Sequence, residues 1–252
     1  MDPHDHEWKV ELAVSGPVTT RARRSLNVLK GHTAPWQTQV TLENQRYGVK
    51  VAVIARARDL QGAHDAAVFF VGEALDYLAF KLDLPLFLSS SCPELRDSGD
   101  NVRRVVTEAE WREVFELGRK YGANYPAITK ALSWYRKGLT SENPVDRYLA
   151  FWNVLEVLGA GYHQQNERTS QGIINQICNC FDQLWESCEH WPVVAGRPER
   201  VNQFHGRRNA ITHGFQDIDV QSLREISDDT DELRELSRAL LEAVVQKFGE
   251  PR

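Results

Sequence analysis

The spacing of apolar residues changes once along this chain, and the change limits the folds that the chain can adopt. Between Trp8 and Val14 apolar and polar residues alternate, which predicts a half-buried strand that ends before Gly16. From Ala63 onward the apolar residues recur at helical spacing, about 3.6 residues per turn. The sequence therefore predicts an α+β protein, in which a small strand-containing N-terminal module precedes an all-α helical bundle.

The N-terminal module is expected to contain a hairpin and one long helix. Two alternating runs at residues 40–42 and 49–53 flank a turn at residues 44–48. An apolar stripe of helical period covers residues 63–82. A basic segment at residues 21–30 is interpreted as an exposed loop or short helix, and as the part of this module that contacts nucleic acid or a protein partner.

A Ser-rich stretch at residues 89–100 is interpreted as a linker, so the expected domains are residues 1–100 and 101–252. A short strand at residues 102–106 precedes the bundle. The helices predicted for the bundle are 107–121, 125–137, 144–158, 170–185, 198–213 and 228–248. Thr107 and Glu110 have the spacing of a capping box, and Gly138 is interpreted as the residue that stops the second of these helices.

Composition excludes several classes of protein. The formal net charge of −5 over 252 residues argues against a globally basic nucleic-acid binder, so any contact with phosphate depends on a local patch. No apolar run is long enough to cross a bilayer, and the first residues lack the pattern of a signal peptide. We therefore expect a cytoplasmic protein without a membrane partner.

The densest group of chemically useful side chains lies in the predicted helix at residues 198–213. Its sequence Arg-Asn-Ala-Ile-Thr-His places Arg208, Asn209 and His213 within two turns. A guanidinium binds phosphate, and an imidazole transfers protons near neutral pH. The apolar face of this helix carries Val201 and Phe204, and Arg208 falls in the middle of that face.

An arginine on an apolar face needs a carboxylate partner, because an unpaired buried charge is costly. Glu156 follows Tyr148 and Trp152 at four-residue steps on the predicted helix 144–158, which is apolar almost all round. We therefore expect an ion pair between Glu156 and Arg208 at the base of a cleft. A purely structural salt bridge is the alternative, since ion-pair networks are commoner than active sites.

Cysteine and histidine residues offer a competing site. Cys178, Cys180, Cys188 and His190 are four zinc-ligand types close in sequence. Cys178 lies on a continuous apolar stripe, however, and two cysteines separated by one residue of a helix point apart. We therefore interpret Cys178 as a buried thiol that packs like a small apolar side chain, and expect neither a metal nor a cofactor.

The motif Arg-Asn-x-x-x-His near the end of a late helix resembles the signature of the HEPN superfamily, whose members are compact helical domains. The aromatic-rich segment at residues 143–158 resembles an early helix of bacterial HEPN proteins that carries an acidic residue. The resemblance covers roughly residues 111–248. The chain also resembles, more faintly, methylamine-utilisation accessory proteins, a likeness that predicts no chemistry.

The HEPN resemblance implies a metal-independent endoribonuclease that acts in defence or growth control. By that resemblance, Arg208 binds the scissile phosphate and His213 is the general acid or base. Asn209 orients either the imidazole or the phosphate, and Glu156 holds Arg208 in place. RNA supplies the nucleophile as its 2′-hydroxyl, and a homodimer interface brings two copies of the motif together. The neighbouring arginines are expected to contact further phosphates or to be solvated: Arg197, Arg200 and Arg207.

Two other interpretations of the same residues stay open. A non-enzymatic HEPN-like module would bind RNA, nucleotides or a protein without turnover. A purely structural bundle would use Glu156 and Arg208 as a core pair, and their loss would lower the melting temperature without any effect on RNA.

Overall fold

The computed structural model describes residues 6–27, 39–45, 48–57, 59–89, 104–141, 143–213 and 220–249. These residues form an antiparallel sheet followed by a helical region, so the chain is α+β as predicted. None of the helices in these ranges combines the length and the apolar character needed to cross a bilayer. Contacts divide the chain into two compact units, residues 1–124 and 125–252, whereas the sequence predicted a boundary after residue 100.

The first unit contains a five-stranded sheet in the order β3-β4-β5-β1-β6, in which every pair is antiparallel. A separate parallel pair joins β2 to β7. The strands are β1 (His6–Ser15), β2 (Val18–Thr20), β3 (Arg24–Asn27), β4 (Gln39–Gln45), β5 (Gly48–Ala57), β6 (Phe87–Ser89) and β7 (Arg104–Val106).

The predicted hairpin and the alternating strand are both confirmed. Gln45 pairs with Gly48 at the start of the β4–β5 ladder, and Leu12 of β1 lies opposite Val51. Leu12 and Val51 are buried. The alternation therefore identifies the face that packs on helix α1 (Leu60–Leu82). Asp59, the residue before this helix, caps its first turn by accepting a hydrogen bond from the Gly62 amide at 2.7 Å.

The interpretation of residues 21–30 as a loop or short helix is wrong in part, because Arg24–Asn27 is strand β3. It pairs with β4, and Leu26 lies buried opposite Val40. A strand with one buried apolar residue shows no detectable alternation of apolar and polar residues in its sequence. Pairing with β4 therefore decides the conformation of residues 24–27. Residues 28–30, and residues 90–100 of the predicted linker, lie outside the described residues.

Helix α2 (Glu108–Asn124) completes the first unit and packs against α1. The predicted capping box is confirmed: the Thr107 amide donates to Glu110 at 2.7 Å, and the Glu110 amide donates to the Thr107 hydroxyl at 3.2 Å. Phe70 of α1 stacks on Phe115, with ring centroids 5.1 Å apart.

The second unit consists of helices that surround α4. Its helices are α3 (Pro126–Thr140), α4 (Pro144–Tyr162), α5 (Ile173–Trp185), α6 (Glu199–Thr212) and α7 (Val220–Phe248). Helix α4 contacts the other four, as its almost wholly apolar sequence predicted. Asn143 caps α4 by accepting from the Val145 amide at 2.9 Å, and Pro144 follows at the first helical position.

The prediction that Gly138 stops α3 is wrong, because the helix continues to Thr140. A methyl group at Gly138 would lie 2.6 Å from the Phe151 ring. The glycine therefore permits a close approach of α3 to α4. In the sequence alone, a glycine needed for such packing cannot be distinguished from one that ends a helix.

Candidate functional site

Helix α6 is fixed to α4 through a buried hydrogen bond one turn before the predicted motif. The Tyr148 hydroxyl of α4 donates to the Phe204 carbonyl at 2.8 Å. In an α-helix that carbonyl is also the acceptor for the amide of residue 208. Tyr148 therefore contacts the backbone turn that carries Arg208, and burial raises the pKa of its hydroxyl.

The ion pair predicted between Glu156 and Arg208 is present. Arg208 Nη2 lies 3.6 Å from Glu156 Oε1, and the two side chains are 28% and 23% exposed. The pair is therefore not sealed inside the bundle. The guanidinium lies on a partly open surface that a ligand can reach.

Asn209 extends this pair into a chain of polar contacts. Arg208 Nη1 donates to Asn209 Oδ1 at 3.0 Å. The amide nitrogen of Asn209 lies 3.3 Å from Nε2 and 3.5 Å from Nδ1 of His205. The contacts thus lead from Glu156 through Arg208 and Asn209 to an imidazole that the sequence did not assign to the site.

His205 is a half-buried imidazole packed on an aromatic ring. Its ring centroid is 5.6 Å from that of Trp152, which is fully buried in α4. Burial lowers the pKa of His205, the Arg208 charge lowers it further, and Glu156 opposes both. The signal that could have identified His205 is its four-residue step before Asn209, but only the position of Trp152 shows what the imidazole packs against.

His213 lies at the C-terminal end of α6 with an exposed side chain. Its backbone N–H donates to the Asn209 carbonyl at 3.0 Å. His205, Asn209 and His213 therefore follow one another at four-residue steps along one helix. The motif residues Arg208 and Asn209 are in direct contact, and His213 stands one turn beyond them.

The three arginines expected to contact further phosphates are engaged by carboxylates of α7. Arg200 lies 2.6 Å from both Asp229 and Glu232, and Arg207 Nε lies 2.5 Å from Asp229. Arg197 donates to Glu232 at 2.9 Å. RNA would have to compete with these carboxylates, so RNA binding by the three arginines stays a prediction, and their pairs hold α6 against α7.

A groove of about 590 Å³ opens beside Glu156. Its walls come from α3, α4 and the first residue of α5, and they are mostly small or apolar: Pro126, Ala127, Val157, Ala160, Gly161 and Ile173. Lys130 is exposed at its side. The volume falls in the range of small-molecule sites, which is roughly 300–1,000 Å³.

Cys178 is buried, as its place on an apolar stripe predicted, whereas Cys188 is partly exposed. Cys178 and Cys180 are buried, and burial raises their pKa to about 11 and about 12. Such thiols stay protonated near neutral pH. The described ranges contain no group of three or more metal-ligating side chains.

Residues 131–242 of the chain match the sequence profile of a family described as methylamine utilization protein MauJ. The match covers less than half of the chain but includes Glu156, His205 and the whole Arg208–His213 motif. It agrees with the fainter of the two resemblances and carries no information about HEPN proteins. No curated protein and no solved structure matches the chain significantly.

Proposed function

We propose that the helical unit is a metal-independent endoribonuclease, with Arg208 as the phosphate ligand and His213 as the proton-transfer group. The observation that carries this proposal is the partly open contact chain of Glu156, Arg208 and Asn209. Glu156 and Asn209 hold a guanidinium at a surface, and a guanidinium is the side chain best suited to a phosphodiester. The HEPN resemblance of the same residues supports the assignment.

The chemistry needs few protein groups because RNA carries its own nucleophile. The 2′-oxygen attacks the adjacent phosphorus, its proton passes to an imidazole, and the bond to the 5′-oxygen breaks. The leaving oxygen takes a proton, and the products are a 2′,3′-cyclic phosphate and a free 5′-hydroxyl. Arg208 offsets the charge that builds up on the phosphate oxygens.

A homodimer would supply the second imidazole. One His213 accepts the 2′-hydroxyl proton while His213 of the second copy protonates the leaving oxygen. Two copies of Arg208 in one seam also provide a local basic patch in a chain whose net charge is −5. Light scattering at working concentration gives the oligomeric state directly.

The nuclease assignment is tested by incubating purified protein with total RNA in EDTA. We expect wild-type cleavage to leave cyclic phosphate ends, and His213→Ala to slow it about a hundredfold or more. His190→Ala is the matched control, because His190 is an exposed imidazole of the same unit outside the site. Absence of cleavage on every RNA, or full activity in His213→Ala, would refute the proposal.

Binding without turnover is a second candidate function, favoured by the groove beside Glu156. The groove is lined by Glu156, the carboxylate partner of Arg208, and by Lys130, whose ammonium group can bind a phosphate. Calorimetric titration with mononucleotides and short RNAs distinguishes the candidates. Binding that Arg208→Ala weakens, on a ligand that is recovered intact, would favour this function over the nuclease.

A further inference from the structure

The Asn209 carboxamide packs on the face of the His205 ring and not on one of its nitrogens. Its amide nitrogen lies 3.3 Å from Nε2 and 3.5 Å from Nδ1. An atom at nearly equal distances from both nitrogens cannot lie in the ring plane along the direction in which either nitrogen makes hydrogen bonds. The contact is therefore of the weak N–H···π kind, and it leaves the in-plane position of each nitrogen unused.

The His205 ring is held in place by packing. Trp152 contacts it from α4, with ring centroids 5.6 Å apart, and the indole N–H makes no hydrogen bond to it. Apart from the Asn209 contact, no hydrogen bond joins a His205 nitrogen to the residues that the structure describes. The side chain is only half-buried, so its in-plane hydrogen-bonding groups remain available to a ligand.

Of the two imidazoles on α6, His205 is the one that lies beside Arg208. Residues three apart are neighbours on a helix surface, whereas residues five apart, such as Arg208 and His213, lie about 140° apart around the helix. His205 and Arg208 also contact the same carboxamide, since Arg208 Nη1 donates to the Asn209 oxygen at 3.0 Å. A phosphate bound by the guanidinium can therefore also reach the His205 ring.

We propose that His205 is a second phosphate ligand of the site, which donates an in-plane N–H to the phosphate group that Arg208 binds. The proposal rests on the role of Arg208 as a phosphate ligand, which the nuclease and the nucleotide-binding alternative share. It applies to either protonation state of the ring, because a neutral imidazole keeps one N–H and an imidazolium has two. The oxygens of a phosphodiester only accept hydrogen bonds, so the guanidinium and the imidazole can each bind one of them.

Packing on Trp152 without any ligand contact is the structural alternative, and two variants separate it from phosphate binding. His205→Phe keeps an aromatic ring against Trp152 but has no N–H. His205→Gln loses the ring but keeps an amide group that donates hydrogen bonds. A phosphate ligand predicts that the first variant loses affinity and that the second keeps most of it. A role in packing alone predicts no loss in the first.

The probe is a short RNA in which every 2′-hydroxyl is methylated, because it carries the same phosphates but lacks the nucleophile for cleavage. In calorimetric titrations at neutral pH, His205→Phe should bind it about ten- to a hundredfold more weakly than wild type, as expected for a lost hydrogen bond to a charged group. His205→Gln should bind nearly as tightly as wild type. His190→Phe, at an exposed histidine of the same unit, is the matched control and should bind as wild type does.

A second measurement follows the His205 ring itself in nitrogen-15 NMR spectra over a pH series. Without RNA, burial and the Arg208 charge lower the pKa of His205, and Glu156 on α4 opposes them. The methylated RNA should raise the pKa of His205, because it adds a negative charge beside the ring that favours the imidazolium.

Full affinity in His205→Phe would overturn the inference, and so would a pKa of His205 that the bound RNA leaves unchanged. Absence of any binding of the methylated RNA would overturn it as well. If the methylated RNA binds as expected but no unmodified RNA is cleaved, only the nuclease proposal fails. If RNA is cleaved while His205→Phe keeps its affinity, only the role of His205 fails.

Discussion

Arg208 is held by two neighbours that differ in what they contribute. Glu156 supplies a charge at 3.6 Å across a partly open surface, while Asn209 supplies an oriented acceptor at 3.0 Å. An exposed ion pair adds little to stability, because water screens both charges. The pair therefore matters more for where the guanidinium lies than for whether the helices fold.

Glu156→Ala separates the functional interpretation from the structural one. We expect the free energy of unfolding to fall by less than about 1 kcal/mol, as for other partly exposed pairs, while RNA cleavage or binding falls at least about tenfold. A pair sealed in the core would instead cost about 3–5 kcal/mol. Urea denaturation monitored by circular dichroism measures the difference.

The control for this variant is Glu242→Ala, which removes the exposed pair with Arg238 on α7. Glu242→Ala should lower the free energy of unfolding by a similarly small amount and leave RNA cleavage and binding unchanged. A loss of several kcal/mol in Glu156→Ala alone would favour the structural interpretation.

Helical periodicity was sufficient to predict the Glu156–Arg208 pair, because each residue lies on the inner face of its own helix. It was not sufficient for the engagement of Arg200 and Arg207 by Asp229. That contact depends on the rotation of α7 against α6, which no local pattern specifies. The packing of His205 was missed for the same reason, since its partner Trp152 belongs to another helix.

At the scale of elements, close approach between helices depends on glycines of α3 and α4. A methyl group at Gly138 would meet the Phe151 ring at 2.6 Å, and one at Gly159 would meet Ile177 of α5 at 2.6 Å. Phe151 is buried and packs edge-on against Tyr135, with ring centroids 5.4 Å apart, so its ring has little room to move. The Phe151 ring of α4 therefore packs directly on the α3 backbone at Gly138, and the α5 backbone at Ile177 lies close to the α4 backbone at Gly159.

Two glycine substitutions should change stability in opposite directions. Gly138→Ala should destabilise the protein by about 1–3 kcal/mol, since the overlap with Phe151 outweighs the gain in helix propensity. Gly206→Ala on α6 should stabilise it by about 0.5–1 kcal/mol, because nothing lies within 4 Å of the added carbon. Thermal melts of the two variants beside wild type test this, and equal signs would contradict the packing argument.

Local signals predicted elements well where the signal and the tertiary contacts agree. The Thr107–Glu110 capping box gave the start of α2 because the side chains that form it are the ones that cap it. The prediction for Gly138 failed because the neighbouring Phe151 ring requires a glycine there. The prediction for β3 failed because pairing with β4 decides its conformation. Both are outcomes of packing that the local sequence does not contain.

At the scale of the whole molecule, the first unit contains an acidic group, Glu73, in an unusual environment. In the first unit Glu73 of α1 lies against the Gly122 backbone of α2. Burial raises the pKa of Glu73 to about 7, and the negative charge of Asp76 adds to the shift. The folded first unit therefore prefers the neutral form of this carboxyl.

Glu73→Gln should stabilise the protein in a pH-dependent manner. A carboxyl whose pKa is raised in the folded state favours folding below its ordinary value of 4.5, and this contribution is lost as the pH rises through about 7. The variant should therefore melt higher than wild type at about pH 8 and nearly equally at about pH 4.5. Glu116→Gln, an exposed carboxylate on α2, should show no such dependence, and a pH-independent effect of Glu73→Gln would contradict the assignment.

Helix α4 contacts the four other helices of its unit, and this has a consequence for local opening. Apart from the face that lines the groove, these helices cover α4, and covered amides exchange their hydrogens only when the surrounding unit comes apart, whereas terminal turns such as that of α6 fray far more often. Glu156 therefore belongs to the segment that opens least, and Arg208 to one that opens more. Each time the end of α6 re-forms, the guanidinium meets a carboxylate that has not moved.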